Sequence, residues 1–124
     1  MKLLIADDNL DVVNMLESYF SVRGFEVQTV RDGLECLTVA QTFKPNFILL
    51  DIKMKRIDGD KVMVDLLALC PDAKILVVTG SQDEALKNKV LKLGAHYYFE
   101  KPVSLVHILQ TIRAIQEEVY VEKR

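Results

Sequence analysis

Five short hydrophobic segments recur along the chain, at residues 3–6, 25–30, 47–50, 75–78 and 97–99. The third and fourth contain only apolar residues, which is typical of strands in a parallel sheet that is covered on both faces. The second alternates apolar and polar residues. We therefore expect its strand to lie at an edge of the sheet.

The stretches between and after these segments carry apolar residues every three to four positions, as amphipathic helices do. Asp32 followed by Glu35 resembles a capping box, and Ser104 is the expected N-cap of the last helix. Glycine and proline predict where three of the helices stop, at Gly24, Pro71 and Gly94. The pattern is a strand followed by a helix, repeated five times, which predicts an α/β doubly wound parallel sheet.

Chemistry is expected beyond the carboxyl ends of the strands, because ligands of doubly wound sheets bind there. Asp7 and Asp8 follow the first segment, Asp51 follows the third, Thr79 closes the fourth, and Lys101 comes shortly after the fifth. The fold therefore predicts that three carboxylates, a hydroxyl and an amine, which are scattered in sequence, meet at one rim of the sheet.

Three neighbouring carboxylates repel one another unless a cation lies between them. Oxygen ligands without imidazole or thiolate favour Mg²⁺ or Mn²⁺. A carboxylate beside such an ion can attack phosphorus and form an aspartyl phosphate. Lys101 and Thr79 would then supply a positive charge and a hydroxyl to the phosphoryl oxygens.

Composition narrows the class of protein. The chain has 124 residues, which suits one domain spanning residues 1–124, and a net charge of −2, which gives no basic field for nucleic acid. The charge of these residues does not exclude a DNA-binding domain elsewhere in a longer protein. The two cysteines, Cys36 and Cys70, have no metal-type spacing and are expected to be small buried side chains. The sequence shows no membrane span and no signal peptide, so we expect a cytoplasmic protein.

Four segments, LLIADDN, FILLDIKM with Asp58-Gly59 after it, ILVVTG and LGAHYYFEKP, resemble the receiver domain of two-component response regulators, such as those of chemotaxis. The resemblance covers essentially the whole chain. It implies a flavodoxin-like five-stranded sheet of order 2-1-3-4-5 with helices on both faces.

The resemblance also implies a role for each matching residue. Asp51 is the phosphoacceptor and a metal ligand, beside the acidic pair Asp7 and Asp8 and the backbone carbonyl of Lys53. Thr79 and Lys101 contact the phosphoryl group, and the Lys101-Pro102 bond is cis. Thr79 and Tyr98 form the switch.

The family's function is implied in the same way. A sensor histidine kinase donates the phosphoryl group, and the domain catalyses its own phosphorylation and its slow loss. The face formed by the fourth helix, fifth strand and fifth helix then signals to an output domain or a downstream protein, or forms a homodimer.

The chain departs from the family's pattern at Lys55, where proline is frequent, at Tyr97, where aspartate is frequent, and at Lys53, where a smaller or amide side chain is frequent. None of these changes removes a catalytic group. Lys53, Lys55 and Arg56 place positive charge beside the pocket, and Lys53 is predicted to tune the lifetime of the phosphorylated state.

Three other functions fit the sequence less well than that of a phosphorylated receiver domain. A haloacid-dehalogenase-type phosphohydrolase would want an acid two residues after the nucleophile, where this chain has Lys53. An FMN module would want a first loop rich in Ser, Thr and Gly, whereas this loop reads ADDNLD. An unphosphorylated receiver would usually lack a key residue, and none is missing. His96 and His107 are expected to have structural roles.

Overall fold

The computed structural model describes residues 1–53, 59–80 and 82–122. Strands and helices alternate in the predicted order. They are β1 (Lys2–Ala6), α1 (Leu10–Ser21), β2 (Glu26–Val30), α2 (Gly33–Phe43), β3 (Phe47–Leu50), α3 (Gly59–Leu69), β4 (Lys74–Thr79), α4 (Glu84–Leu93), β5 (Tyr97–Glu100) and α5 (Leu105–Glu122).

The five strands form one parallel sheet in the order β2-β1-β3-β4-β5, which confirms both the predicted fold and the predicted strand order. The alternating strand β2 lies at one edge, as its pattern predicts, and β5 lies at the other. Ala6 at the end of β1 is in register with Leu50 at the end of β3. The residues that follow these two strands therefore start from neighbouring positions on the rim.

Alternate residues of the central strands face two separate hydrophobic layers. One layer packs side chains of α2, α3 and α4 against Leu4, Ile48 and Ile75. The other packs side chains of α1 and α5 against Leu3, Phe47, Leu49 and other strand residues. The sheet is thus covered on both faces, which explains why β3 and residues 75–78 of β4 are all apolar.

The helices begin and end where the local sequence predicts. Asp32 is the N-cap of α2 and accepts a hydrogen bond from the backbone N–H of Glu35. Ser104 Oγ accepts one from the N–H of His107 at the start of α5. Gly94 ends α4 at φ 122°, a conformation that favours glycine, and a Cβ at this position would lie 3.0 Å from Leu67 of α3.

Both cysteines are free thiols, and neither lies at the rim. Cys36 is fully buried in α2, and its burial raises the pKa of its thiol to about 12, which makes it a poor nucleophile. Cys70 is half-buried just after α3. Among the described residues, no helix is both long and apolar enough to cross a membrane.

Candidate functional site at the carboxyl ends of the strands

The fold brings the five predicted rim residues to the same end of the sheet. Asp7 and Asp8 directly follow β1, Asp51 directly follows β3, Thr79 is the last residue of β4, and Lys101 directly follows β5. Asp7 is 3% exposed, Asp51 5% and Thr79 0%, whereas Asp8 is half-buried. Such burial is unusual for polar side chains and marks this rim as a site.

Asp7, Asp8 and Asp51 form an acidic cluster in which one carboxylate oxygen of each lies within 4.8 Å of the others. Three hard oxygen donors at this spacing suit a cation that takes carboxylate and water ligands, such as Mg²⁺ or Mn²⁺. The donor set therefore fits the metal that the sequence predicts.

Lys101 bridges two of these carboxylates. Its Nζ lies 2.7 Å from Asp7 Oδ2 and 3.2 Å from Asp51 Oδ2. Burial opposes the charge of Lys101, but the hydrogen bond to Asp7 and the negative charges of Asp51 and Asp7 outweigh it and raise the pKa of the ammonium. The Lys101-Pro102 bond is cis, as the resemblance predicts. The sequence predicts Lys101 as a partner of the phosphoryl group but not this contact with Asp7.

The second oxygen of each buried carboxylate is oriented by the backbone. Asp7 Oδ1 accepts a hydrogen bond from the N–H of Asn9, and Asp51 Oδ1 accepts one from the N–H of Lys53, both at 2.9 Å. These are Asx turns, which a short acidic side chain forms readily after a strand. In both residues Oδ1 is fixed by the backbone, while Oδ2 faces Lys101.

The charged form of Asp51 is disfavoured by its position in the structure. Burial raises the pKa of its carboxyl, and the hydrogen bond from Lys53 and the charge of Lys101 offset only part of that effect, while the charge of Asp7 adds to it. A carboxylate that the protein holds in a costly charged form is well suited to react with an electrophile.

The two predicted switch residues lie on neighbouring strands. Thr79 ends β4, and its carbonyl accepts a hydrogen bond from the N–H of Lys101 at 2.9 Å. Tyr98 of β5 is half-buried and packs against the layer that contains α3 and α4. Burial raises the pKa of its hydroxyl, and the charge of Glu100 adds to that effect. Their coupled movement stays a prediction.

Lys53 is exposed, and its backbone N–H donates the hydrogen bond to Asp51 Oδ1. The use of its carbonyl as a metal ligand and its tuning role stay predictions. Lys55 and Arg56, which were predicted to add charge beside the pocket, lie outside the described residues.

A surface pocket of about 420 Å³ runs along the edge strand β5 between α4 and α5. Its walls include Lys87, Tyr97, Tyr98 and His107. The ring of His107 meets the rings of Tyr97 and Phe99 edge-on. The sequence does not predict this pocket, because the pocket depends on side chains of three separate elements. The pattern of two adjacent tyrosines on an edge strand was its only signal.

Comparison with known proteins places these features in a family. The model of the response regulator receiver domain matches residues 3–113. A probable transcriptional regulator, ycf27 of Cyanophora paradoxa, is 36% identical over 92% of this chain and 47% of its own length. The alkaline phosphatase synthesis transcriptional regulatory protein PhoP of Bacillus subtilis is 34% identical over 92% of this chain and 48% of its own length. The chain thus spans about half the length of the curated relatives it matches.

Solved structures of response regulators have the same fold as this chain. A response regulator of Burkholderia pseudomallei with a phosphorylated aspartic acid, a calcium ion and citrate superposes with a TM-score of 0.86 at 31% identity, over 98% of this chain and 72% of the other. A CheY-like receiver domain protein of Methanospirillum hungatei superposes with a TM-score of 0.92 at 26% identity, over 98% and 97%. The chain belongs to the response regulator receiver domain family of two-component signal transduction.

Proposed function

We propose that this receiver domain accepts a phosphoryl group on Asp51 from a sensor histidine kinase, with Mg²⁺ or Mn²⁺ held by Asp7, Asp8 and Asp51. The observation that supports it most is the buried cluster in which Lys101 bridges Asp7 and Asp51, with a third carboxylate within 4.8 Å. The carbonyl of Lys53, next to the Asx turn at Asp51, is the proposed fourth protein ligand.

The transfer requires Asp51 as a carboxylate. One of its oxygens attacks the phosphorus atom, a P–O bond forms, the P–N bond of the donor phosphohistidine breaks, and the imidazole leaves with the electron pair. A bound divalent cation neutralises the charge that gathers on the phosphoryl oxygens. Lys101 lies 3.2 Å from Asp51 Oδ2 and is therefore within reach of those oxygens after only a small movement. The domain would catalyse this step and its slow hydrolysis on itself and would not be an enzyme acting on other molecules.

The signal then leaves through the surface formed by α4, β5 and α5. Thr79 follows the phosphoryl oxygens and Tyr98 moves inward, so that two states of this surface differ in population. The pocket between α4 and α5 lies on this surface and is lined by Tyr98 itself. An output domain, a downstream protein or a second copy of the chain would contact it.

Two features of the relatives support a place in a longer protein. Their names include transcriptional regulators, and this chain spans about half their length. We therefore propose that residues 1–124 are a single receiver domain that can form the N-terminal part of a larger regulator. With a net charge of −2, this domain would not itself contact nucleic acid.

Phosphorylation by acetyl phosphate, or occupancy by beryllofluoride, tests the phosphoacceptor. With Mg²⁺ present, the parent should gain one phosphoryl group by intact-protein mass spectrometry, and Asp51→Asn should gain none. Asp72→Asn, at an exposed loop carboxylate, is the matched control. Phosphate that persists on Asp51→Asn would move the site elsewhere.

Metal binding is tested separately by titrating Mg²⁺ and following amide shifts at residues 7–9 and 51–53. Asp8→Ala should weaken binding at least tenfold while the fold is retained, because Asp8 is only half-buried. Equal Mg²⁺ affinity in Asp8→Ala and the parent would remove Asp8 from the metal site.

A further inference from the structure

His96 directly precedes β5 and forms hydrogen bonds to β4 at the end of the sheet opposite the acidic cluster. Its backbone N–H donates a hydrogen bond to the carbonyl of Ile75 at 2.8 Å. In return, the N–H of Ile75 donates one to Nδ1 of the His96 imidazole at 3.3 Å. One residue of β4 is therefore bound through both its backbone groups by a single histidine.

The side-chain bond fills a gap that the strand pairing leaves. Lys74 donates its N–H to Asn46 beside β3, so the N–H of the next residue, Ile75, points to the β5 side. Pairing with β5 begins only at Leu76, which is in register with Tyr97. Ile75 is 1% exposed, and a buried N–H needs an acceptor. The imidazole supplies it.

Only a neutral imidazole can act in this way. Nδ1 accepts a hydrogen bond when the ring proton is on Nε2, whereas in the protonated ring both nitrogens are donors. Protonation would place an N–H at Nδ1 that faces the N–H of Ile75. We propose that His96 is a pH-sensitive latch, which fastens β4 to β5 when neutral and releases the N–H of Ile75 when protonated.

The surroundings of the imidazole favour its neutral form. Burial lowers the pKa of His96, and the positive charge of Lys74 on β4 lowers it further. Lys74 is the charged group that acts on this ring among the described residues. Because the folded pKa lies below the ordinary histidine value of about 6.5, the stabilisation is complete above that pH and is lost as the pH falls below it.

Hydrogen exchange at the Ile75 amide, measured by NMR on the metal-free protein, tests the latch without any need for phosphorylation. The key variant is His96→Asn, whose Oδ1 can accept the same bond but does not titrate. Between pH 7.5 and 5.0, the protection of Ile75 should fall in the parent by about tenfold relative to His96→Asn at the same pH. A tenfold change in protection corresponds to about 1.4 kcal/mol in the free energy of opening at the Ile75 amide.

His107→Asn is the matched control, since it removes the chain's other histidine, an exposed residue of α5. It should leave the pH dependence of Ile75 protection unchanged. In the parent, the Ile75 amide shift should also follow the titration of the His96 ring, a measurement that needs no variant. Protection that falls equally in the parent and His96→Asn, or an Ile75 shift that ignores the His96 titration, would overturn the proposal.

Discussion

The two ends of the sheet use polar side chains in different ways. At the carboxyl end, the charged groups of Asp7, Asp51 and Lys101 are crowded together, and each aspartate pairs with Lys101 through Oδ2 and with a backbone N–H through Oδ1. At the amino end, polar side chains bond to backbone. Asn46 Oδ1 accepts from the N–H of Lys2 at 2.8 Å, and His96 Nδ1 accepts from the N–H of Ile75.

The polar groups at the two ends of the sheet differ in how they affect the stability of the fold. Neutral acceptors at the amino end complete the hydrogen bonding of strand starts and cost little, because no charge is removed from water. At the carboxyl end, the attraction of the two aspartates outweighs the burial of Lys101, but the charge of Lys101 offsets only part of the burial of Asp51, as the raised pKa of Asp51 shows. Removing the charge of Asp51 should therefore stabilise the metal-free protein, removing Lys101 or a neutral acceptor at the amino end should destabilise it, and only variants at the carboxyl end should respond to metal.

Lys101→Met should have the largest effect on stability. It leaves Asp7 and Asp51 side by side without their shared cation, and we expect a loss of about 2 kcal/mol in the free energy of unfolding. This is less than for a fully buried pair, because the Lys101 side chain is 23% exposed. Urea unfolding without metal measures it, and added Mg²⁺ should restore part of the loss through binding to the folded state. Lys61→Met, at an exposed position of α3, is the control. Similar losses in both variants would argue against a special role for the bridge.

Asp51→Asn should stabilise the metal-free protein at neutral pH by about 1 kcal/mol, a typical size for one substitution. The amide keeps the shape of the side chain and removes a charge that burial disfavours. Because the folded pKa of Asp51 is raised, the gain should shrink as the pH falls through that raised pKa and should be absent below the ordinary aspartate value of about 3.9. Urea unfolding at several pH values measures this, with Asp72→Asn in the exposed loop as the control. A loss of stability at neutral pH would contradict this account of the carboxyl end.

Asn46→Ala should destabilise the protein by roughly 0.5–1 kcal/mol, because the N–H of Lys2 loses its acceptor at an exposed position where water can replace it. Asn46→Asp retains an acceptor oxygen and should lose less. Neither variant should change the rate of phosphorylation by acetyl phosphate. If both lose the same stability, the hydrogen bond is not what Asn46 contributes.

Lys53→Ala should have the smallest effect. The exposed ammonium beside Asp51 is expected to stabilise the phosphorylated state and to occupy space that an attacking water needs. Its removal should speed autodephosphorylation several-fold, which corresponds to less than about 1.4 kcal/mol in the barrier. Mg²⁺ affinity should stay nearly the same. Loss of phosphate from the phosphorylated protein measures the rate, with Lys61→Ala as the control. A rate that stays the same or falls would leave Lys53 as a solvated loop residue.

Most of the fold could be predicted because each strand carries its own signal. The uninterrupted apolar run at residues 47–50 and the alternating one that ends at Val30 separate a central strand from an edge strand. Several strand boundaries differ from the predicted segments by one residue: β1 and β4 begin one residue earlier, β4 and β5 end one residue later, and β2 begins after Phe25. The N–H of Phe25 bonds back to the carbonyl of Phe20 in the turn after α1, while its side chain still enters the core.

The sequence predicts which residues meet at the site, but not which of them form contacts with each other. Parallel strands place their carboxyl ends together, so the proximity of Asp7, Asp51 and Lys101 follows from the order of elements. That Lys101 lies nearer Asp7 than Asp51 depends on the path of the chain after β5. The bond from Ile75 to His96 likewise depends on a one-residue offset between two strands, which no periodicity in the sequence records.

The uniform hydrophobicity of β3 means that its own side chains cannot define its register. Sliding the run Phe47–Leu50 by one residue would exchange its two faces, yet each face would still present apolar groups to a core layer. The flanking polar residues prevent such a slip, because it would draw Asn46 or Asp51 into the hydrocarbon interior. Asp51, the proposed phosphoacceptor, would therefore also help to fix the register of β3. Single-residue insertions and deletions in β3 should be far less tolerated than apolar replacements at the same positions.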